Sequence, residues 1–256
     1  MSASVEPGWA ARELAAAHVV VEGPLLDQLT ITGTDGHHLA RVRRLRVGEL
    51  VTAADGAGRW RTYRVERVSR GSMTIGADGA PRMEPRLEPS LAVAFALTKS
   101  DKPETVVARL TELGVDRIAP VIARRSIVRW DDARARAAAE RFRVAAHEAA
   151  MQSRRARVPV VEPVADIGTL AGRPGLVVAD PEGGPPDALP HPGPGGWLLV
   201  VGPEGGLDEA ELGAFGPVLR LGVGPHVLRA ETAAVAAAAA LTGLRRAIPR
   251  EGGHGG

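Results

Sequence analysis

The chain has no cysteine among its 256 residues. Disulfides, thiolate nucleophiles and cysteine-ligated zinc are therefore excluded, and the absence fits a reducing compartment. Aromatic residues are scarce, at 3% against 45% hydrophobic residues, so any core must be chiefly aliphatic. No apolar run approaches the length of a membrane span. The N-terminal MSASVEPGWAARELAAAH lacks a basic-then-apolar signal pattern, so a cytoplasmic protein is expected. The formal net charge is only +2, so an argument for nucleic-acid binding has to come from the distribution of charge. Two phosphate-binding signatures are also missing. Without GxGxxG or Gly-Lys-Ser/Thr there is neither a Rossmann fingerprint nor a P-loop, and a triphosphate cofactor is not expected. His37 and His38 lack acidic or histidine partners at ligand spacing, and no metal site is expected.

What is present concentrates in Leu198–Ala240, which holds two glycine-rich loops, each following a short apolar strand and leading to a helix. The first loop is Gly202-Pro203-Glu204-Gly205-Gly206. It follows Trp197–Val201, which reads as a buried parallel strand. Asp208 and Glu211 fit a capping box with Leu207 as the preceding apolar residue, so a helix is expected from about Glu209. The second loop is Leu221-Gly222-Val223-Gly224-Pro225, continued by Val227-Leu228-Arg229-Ala230-Glu231-Thr232-Ala233. The alanine-rich Glu231–Arg246 follows as a helix, through alanine's propensity alone or because another backbone approaches it closely. Glycine lets main-chain groups approach a ligand with no Cβ in the way. Two such loops suggest one small-molecule pocket built largely from backbone.

Residues 18–80 read as a small β-rich domain, a barrel or sandwich. Strands are expected at His18–Val21, Leu29–Thr32, Glu49–Ala54, Arg59–Val68 and Ser72–Ala77, with a short helix capped by Thr34-Asp35 and running through Val42. This region is rich in arginine, including Arg41, Arg43, Arg44, Arg59 and Arg61. Clustered guanidinium groups suit phosphate contacts, and Trp60 or Tyr63 is a candidate to stack on a base. A solvated basic face is the competing reading. Gly79–Pro89, with three prolines among charges, fits a linker. Beyond it strands alternate with helices, which argues a parallel α/β sheet. Strands are expected at Leu91–Leu97, Val115–Ala123, Val158–Val161 and Leu176–Ala179. One helix is capped by Asp101 with Pro103 in its first turn and is ended by Gly114. A longer one runs from Asp131-Asp132 to about Ser153. Gly183–Gly196 reads as an irregular loop and the terminal EGGHGG as disordered.

The segments GPEGGLDEAEL and LRLGVGPHVLRAETA resemble the bacterial family that methylates N3 of a uridine in small-subunit (16S) ribosomal RNA, within the SPOUT methyltransferases. Further segments resemble family motifs in the family's order: Leu97-Thr98-Lys99, Leu110 to Val115, Arg125-Ser126-Ile127-Val128, and Glu148 to Arg155. The ordered set covers nearly the whole chain. The resemblance implies an N-terminal PUA-like β-barrel that helps bind RNA (residues 1–80), a linker (81–89) and a C-terminal SPOUT α/β domain (90–256) with a trefoil knot. It also implies S-adenosyl-L-methionine as cofactor, 16S rRNA in the small ribosomal subunit as partner, and a homodimer with the pocket near the subunit interface. By matching motifs, cofactor contacts are expected at Gly202, Pro203, Glu204, Gly205, Gly206, Leu221, Gly222, Val227, Leu228, Arg229 and Thr232; Asp180, at the end of the Leu176–Ala179 strand, is a further candidate. RNA contacts are expected at Arg41, Arg43, Arg44, Arg59, Arg61, Arg125, Gln152 and Arg154.

The chemistry names the roles. Uracil N3 carries a weakly acidic proton that must leave, and negative charge develops on N3 and the flanking carbonyl oxygens. An arginine aimed at those oxygens stabilises that charge; Arg229 and Arg154 are the candidates. The proton acceptor is Glu204, Glu231 or water. The chain departs from the family pattern at Arg109 (usually lysine), Arg124 (commonly glutamate), Met151 (often glutamate) and His226 (usually arginine). The last removes a permanent charge beside the second loop. Three rival readings are a non-catalytic ribosome-assembly factor that kept the fold, a nucleotide-using α/β enzyme for small molecules, and a SPOUT methyltransferase with another RNA target.

Overall fold

The structure is a computed structural model that describes residues 12, 14–37, 45–98, 102–126 and 130–247. The chain forms two compact units, Met1–Arg86 with Ala150–Val158, and Leu87–Ala149 with Pro159–Gly256.

The first unit contains β1 (Ala17–Val20), β2 (Gln28–Ile31), α1 (Gly33–His37), β3 (Leu50–Ala54), β4 (Arg59–Ser69), β5 (Ser72–Ala77) and β6 (Arg82–Met83). The sheet order is β1-β3-β4-β5-β2, with β6 beside β4. Strand alternation builds its core: Val51, Tyr63, Val65, Met73 and Ile75 pack inward, whereas Arg64, Glu66 and Arg67 are exposed. A pairing of β1 with β2, which would close a barrel, is not among the ladders of the described residues. The Gly79–Pro89 stretch is more than a connection, because β6 lies within it. The helix begins at Gly33, so Thr34 and Asp35 lie inside it rather than capping it; residues 38–42 lie outside the described residues.

The returning segment Ala150–Val158 completes this unit. Gly58 N–H donates to the Ala156 carbonyl at 3.0 Å and Val158 N–H to that of Gly56 at 2.9 Å. This engagement explains why the strand expected from Val158 starts only at Val160. His18 is buried between two partners. Its Nδ1 lies 2.8 Å from Thr52 Oγ1, its register partner on β3, and its Nε2 lies 3.0 Å from the Arg155 carbonyl. A carbonyl only accepts, so Nε2 carries the proton and Nδ1 accepts from the threonine hydroxyl. Burial is the main force lowering the His18 pKa from 6.5 to about 4; the bond to Arg155 opposes it and the Arg12 charge adds to it.

The second unit contains β7 (Leu91–Ala96), α2 (Pro103–Glu112), β8 (Arg117–Ile122), α3 (Asp132–Gln152, counted here as far as Ala149), β9 (Val160–Val161), β10 (Ala165–Asp166), β11 (Leu176–Gly184), β12 (Trp197–Val201), α4 (Glu209–Phe215), β13 (Leu219–Leu221) and α5 (Ala230–Ala247). The order is β10-β8-β7-β12-β11-β13 with β9 on β8, and every pairing is parallel. All five β12 residues are buried, as expected for a central parallel strand covered on both faces. The core is small and aliphatic, including Ala94, Ala96, Val121, Ile167, Val178 and Val200. Helix α2 has Pro103 in its first turn and Lys102 at the N-cap, without a side-chain cap bond; Asp101, expected there, lies outside the described residues. Strand β11 runs through Gly184, five residues beyond the expected end, because Gly184 pairs with Leu221 after a register irregularity. A short turn of helix at Pro186–Ala188 follows inside the expected irregular loop. The tail from residue 248 lies outside the described residues.

Helix α5 buries Ala234, Ala237, Ala238 and Leu241, an i, i+3, i+4, i+7 stripe. Its last turn carries a buried cation. Arg245, 2% exposed, donates to Asp116 at 2.7 Å and to the Gly114 carbonyl at 2.8 Å. Asp116 also accepts from Leu91 N–H at 2.9 Å, so one carboxylate joins α5 to the first residue of β7.

Two stability predictions follow from these buried groups. Arg245→Met leaves Asp116 without its cation and is expected to cost about 3 kcal/mol or more, read as a lower urea midpoint. His18 must be neutral in the folded state, so its contribution is complete above its unfolded value of 6.5 and is lost as pH falls towards about 4. Over that window stability should drop by up to about 3 kcal/mol. Urea titrations of His18→Asn across the same window should show a shallower pH dependence than the parent.

Candidate functional site

Three parallel strands, β11, β12 and β13, end on the same side, where ligands bind in open parallel sheets. A cavity of about 260 Å³ lies there. Its lining comes from Val178 to Pro181 of β11, Val201 to Glu204 with Gly206 and Leu207 after β12, and Leu221, Val223, Gly224 and His226 to Leu228 after β13. Leu212 of α4 and Ala230 and Ala233 of α5 add apolar wall. Both glycine loops therefore face one space.

The capping box holds the first loop's exit. Asp208 accepts from Glu211 N–H at 2.7 Å and Glu211 accepts from Asp208 N–H at 2.9 Å. Inside the loop Gly206 N–H reaches the Pro203 carbonyl at 2.8 Å. The second loop is held by direct backbone approach: Gly222 N–H donates to Gly184 O at 2.9 Å. A Cβ on Gly222 would lie 2.5 Å from Gly183 O, and one on Gly183 would lie 2.6 Å from Gly222 N. Only glycine fits at both positions, because the obstructing atoms are backbone.

The charge of the lining decides what fits. Among the described residues its ionisable side chains are Asp180, Glu204 and His226, with no lysine or arginine. Two carboxylates among apolar walls suit a cationic ligand with hydroxyl groups and disfavour phosphates. S-adenosylmethionine, with a sulfonium, an amino group and ribose hydroxyls, offers the charge and hydrogen-bond donors that such carboxylates accept. Asp180 is oriented from outside: Arg220 donates to one oxygen at 2.7 Å and Glu182 N–H to the other at 2.9 Å.

Of the expected cofactor contacts, Asp180, Gly202, Pro203, Glu204, Gly206, Leu221, Val227 and Leu228 line the cavity. Gly205, Gly222, Arg229 and Thr232 are not among the lining residues. Gly205 instead gives its carbonyl to Arg125 at 2.8 Å. Arg229 is exposed and offers its carbonyl to Ala233 N–H at 2.8 Å at the start of α5. Thr232 is exposed on that first turn. The sequence reading did not assign the apolar walls Pro181, Leu207, Leu212 and Ala233, nor Val223 and Gly224. Val223 and Gly224 stand inside the second loop, and Leu207 follows the first loop.

The expected RNA contacts scatter. Arg41, Arg43 and Arg44 lie outside the described residues, as do Lys99, Ile127 and Val128 of the motifs. Arg59 is exposed. Arg61 is committed to Asp27 at 2.7 Å and to the Gly79 carbonyl at 2.6 Å. Gln152, the last residue of α3, is exposed. Arg154 has a left-handed backbone, φ 58°, and donates to the Arg12 carbonyl. The stacking candidates are corrected by burial. Trp60 is 2% exposed and Tyr63 not at all. Trp60 lies under the Arg12 and Arg82 guanidinium groups at 4.8 and 5.3 Å, and the Tyr63 hydroxyl donates to the Leu26 carbonyl at 2.9 Å. Both are structural.

Comparison with known proteins yields consistent relatives. Residues 85–242 match the family described as an RNA methyltransferase domain, and residues 31–77 match an RNA methyltransferase PUA domain. Ribosomal RNA small subunit methyltransferase E of Mycobacterium bovis is 34% identical over 222 residues, covering 82% of this chain and 84% of that protein. The Bacillus subtilis protein of the same name is 31% identical over 227 residues, covering 83% and 89%. Among solved structures, ribosomal RNA small subunit methyltransferase E of Neisseria gonorrhoeae bound to S-adenosyl methionine gives a TM-score of 0.77 at 26% identity, covering 89% of this chain and 97% of that one. A Legionella pneumophila methyltransferase in complex with the same cofactor gives 0.79 at 26% identity, with the same coverage.

The Gly183–Gly222 approach can be tested by itself. Gly222→Ala drives a Cβ into a backbone carbonyl and should cost about 2 kcal/mol in a urea melt. Ligand affinity of the cavity should fall with it, read by calorimetry.

Proposed function

The chain belongs to the RNA methyltransferase family of these relatives, and on that premise we propose that it uses S-adenosylmethionine to methylate N3 of a uridine in the 16S RNA of the small ribosomal subunit. The observation that carries the reading is the cavity where both glycine loops meet, whose described lining holds Asp180 and Glu204 and no lysine or arginine. Asp180 and Glu204, with the main chain of Gly202, Gly206, Leu221 and Leu228, are the groups that would hold the cofactor. S-adenosylmethionine supplies an electrophilic methyl group on a sulfonium.

The remaining work falls to the chain's own residues. Loss of the uracil N3 proton leaves negative charge on N3 and its flanking oxygens, and a guanidinium aimed there lowers the barrier. Arg229 is our first candidate. It follows the cavity-lining Leu228, is exposed, and its side chain makes no ion pair or hydrogen bond among the described residues. Arg154 is the second candidate, although its guanidinium already serves the Arg12 carbonyl. Glu204, on the cavity wall, is the proposed proton acceptor, with Glu231 or water as the alternatives. The exposed Arg59 and Gln152 belong to the proposed RNA contacts, with Arg41, Arg43 and Arg44.

The finer architecture is proposed with the function: a PUA-like barrel, a SPOUT domain with a trefoil knot, a cytoplasmic homodimer. Two features favour the knot. Helix α5 contacts β7, β12 and β11 and also the Pro186–Ala188 turn in the segment between β11 and β12. The main chains at Gly183 and Gly222 lie one against the other. Among the described residues no helix is long and apolar enough to cross a membrane.

Titration with S-adenosylmethionine by calorimetry, then incubation with small ribosomal subunits from cells lacking the gene, tests the proposal. Saturable binding and a new N3-methyluridine in digested 16S RNA are expected, and Arg229→Ala should reduce the rate by about a hundredfold or more. Binding without transfer would point to another RNA, and folded protein that does not bind the cofactor would leave an assembly factor as the better reading.

A further inference from the structure

We propose that Arg125 is a positioning residue for the first glycine loop, holding Gly202–Gly206 in the shape that lines the cavity, and is not a contact to RNA. The inference rests on the reading of that cavity as the S-adenosylmethionine pocket. Arg125 sits in a tight turn just after β8. The turn is closed by Ser126 N–H to the Ala123 carbonyl at 3.0 Å and by Ala123 N–H to Ser126 Oγ at 3.2 Å. Its neighbour Arg124 donates its N–H to the Glu211 carboxylate at 2.7 Å. Glu211 is 6% exposed and belongs to the capping box of α4, so one side of the turn is anchored to the helix that follows the loop.

From the other side Arg125 reaches the loop itself. Its guanidinium donates to the Gly205 carbonyl at 2.8 Å. Its stem runs close over the same residue: a Cβ on Gly205 would lie 3.5 Å from Arg125 Cβ and 3.6 Å from Cδ. Glu204 and Gly206 line the cavity while Gly205 does not. The arginine therefore grips the loop at the one residue that does not face the ligand space. A run with three glycines has wide conformational freedom, and Gly206 stands at φ +70°. The internal turn from Gly206 to Pro203 leaves the Gly205 carbonyl to an outside donor. A charge-assisted bond there selects one loop shape before the ligand arrives, which is preorganisation.

Calorimetry with S-adenosylmethionine on Arg125→Met and Arg125→Lys separates this role from an RNA contact. Arg125→Met should weaken cofactor affinity about tenfold, the worth of one charge-assisted hydrogen bond. Arg125→Lys, which keeps a cationic donor, should recover part of that. Affinity for small ribosomal subunits without cofactor should stay within about twofold for both. In the methyl-transfer assay KM for S-adenosylmethionine should rise while kcat at saturation holds, a split that general loss of folding would not produce. Amide hydrogen exchange at Gly205 and Gly206 in cofactor-free protein should speed up in Arg125→Met. Unchanged cofactor affinity, with or without a fall in subunit affinity, would overturn the proposal. If the parent protein itself fails to bind S-adenosylmethionine, the reading of the cavity falls first and this inference with it; a parent that binds beside an equally tight Arg125→Met sinks the inference alone.

Discussion

The second unit turns on one close approach of main chain to main chain. Strand β11 does not stop where its apolar run ends. It continues past a register irregularity after Ala179 to Gly184, whose carbonyl takes the Gly222 N–H at 2.9 Å. At that crossing neither Gly183 nor Gly222 has room for a Cβ. Around that irregularity Val178, Ala179, Asp180 and Pro181 line the same cavity as the two glycine loops. The crossing thus fixes the second loop against the β11 extension, and the cavity is the space these segments leave. Among the described residues its polar character comes from backbone groups, two carboxylates and the His226 imidazole, which is why its chemistry is positioning and charge complementarity.

Around that crossing, the stable parts are made by small residues and a few buried polar groups. With so few aromatic side chains, the sheet of the second unit packs through alanine, valine and leucine, and α5 lies close because its buried stripe is mainly alanine. Close packing of short side chains contributes many weak contacts but little register information. Arg245 and Asp116 add it: a charge pair with further backbone partners fits in one arrangement only. In the first unit the set of His18, Thr52 and the Arg155 carbonyl does the same for the returning segment. Such groups are costly if left unpaired, so they discriminate against alternatives more than they add to net stability.

The arginines divide by what they touch. Arg61, Arg154 and Arg245 spend donors on carbonyls or carboxylates within the protein. Arg125 belongs with them by its bond to Gly205. Arg229, adjacent to the cavity wall and exposed, is of the other kind. A tally of basic residues treats them alike; their hydrogen bonds separate those held by groups of the protein from Arg229, whose side chain makes none among the described residues.

Local chemistry was legible in the sequence wherever a short pattern has one stable outcome. The Asp208–Glu211 capping box, the buried run of β12, Pro103 opening α2 and the parallel α/β alternation all appear as the residues imply. The two glycine loops announced a backbone-built pocket, and eight of the twelve expected cofactor positions line it. What tertiary structure alone decided involves partners distant in sequence. Trp60 and Tyr63 became core because Arg12, Arg82 and the Leu26 carbonyl meet them. Val158 left the strand expected for it because the Gly56 carbonyl takes its N–H. Strand β11 lengthened because Leu221 supplies a partner for Gly184, and Arg125 met Gly205 across 80 residues of chain. Local patterns encode the hydrogen bonds and faces a segment can satisfy by itself; which distant group satisfies the remainder is settled only when the chain closes on itself.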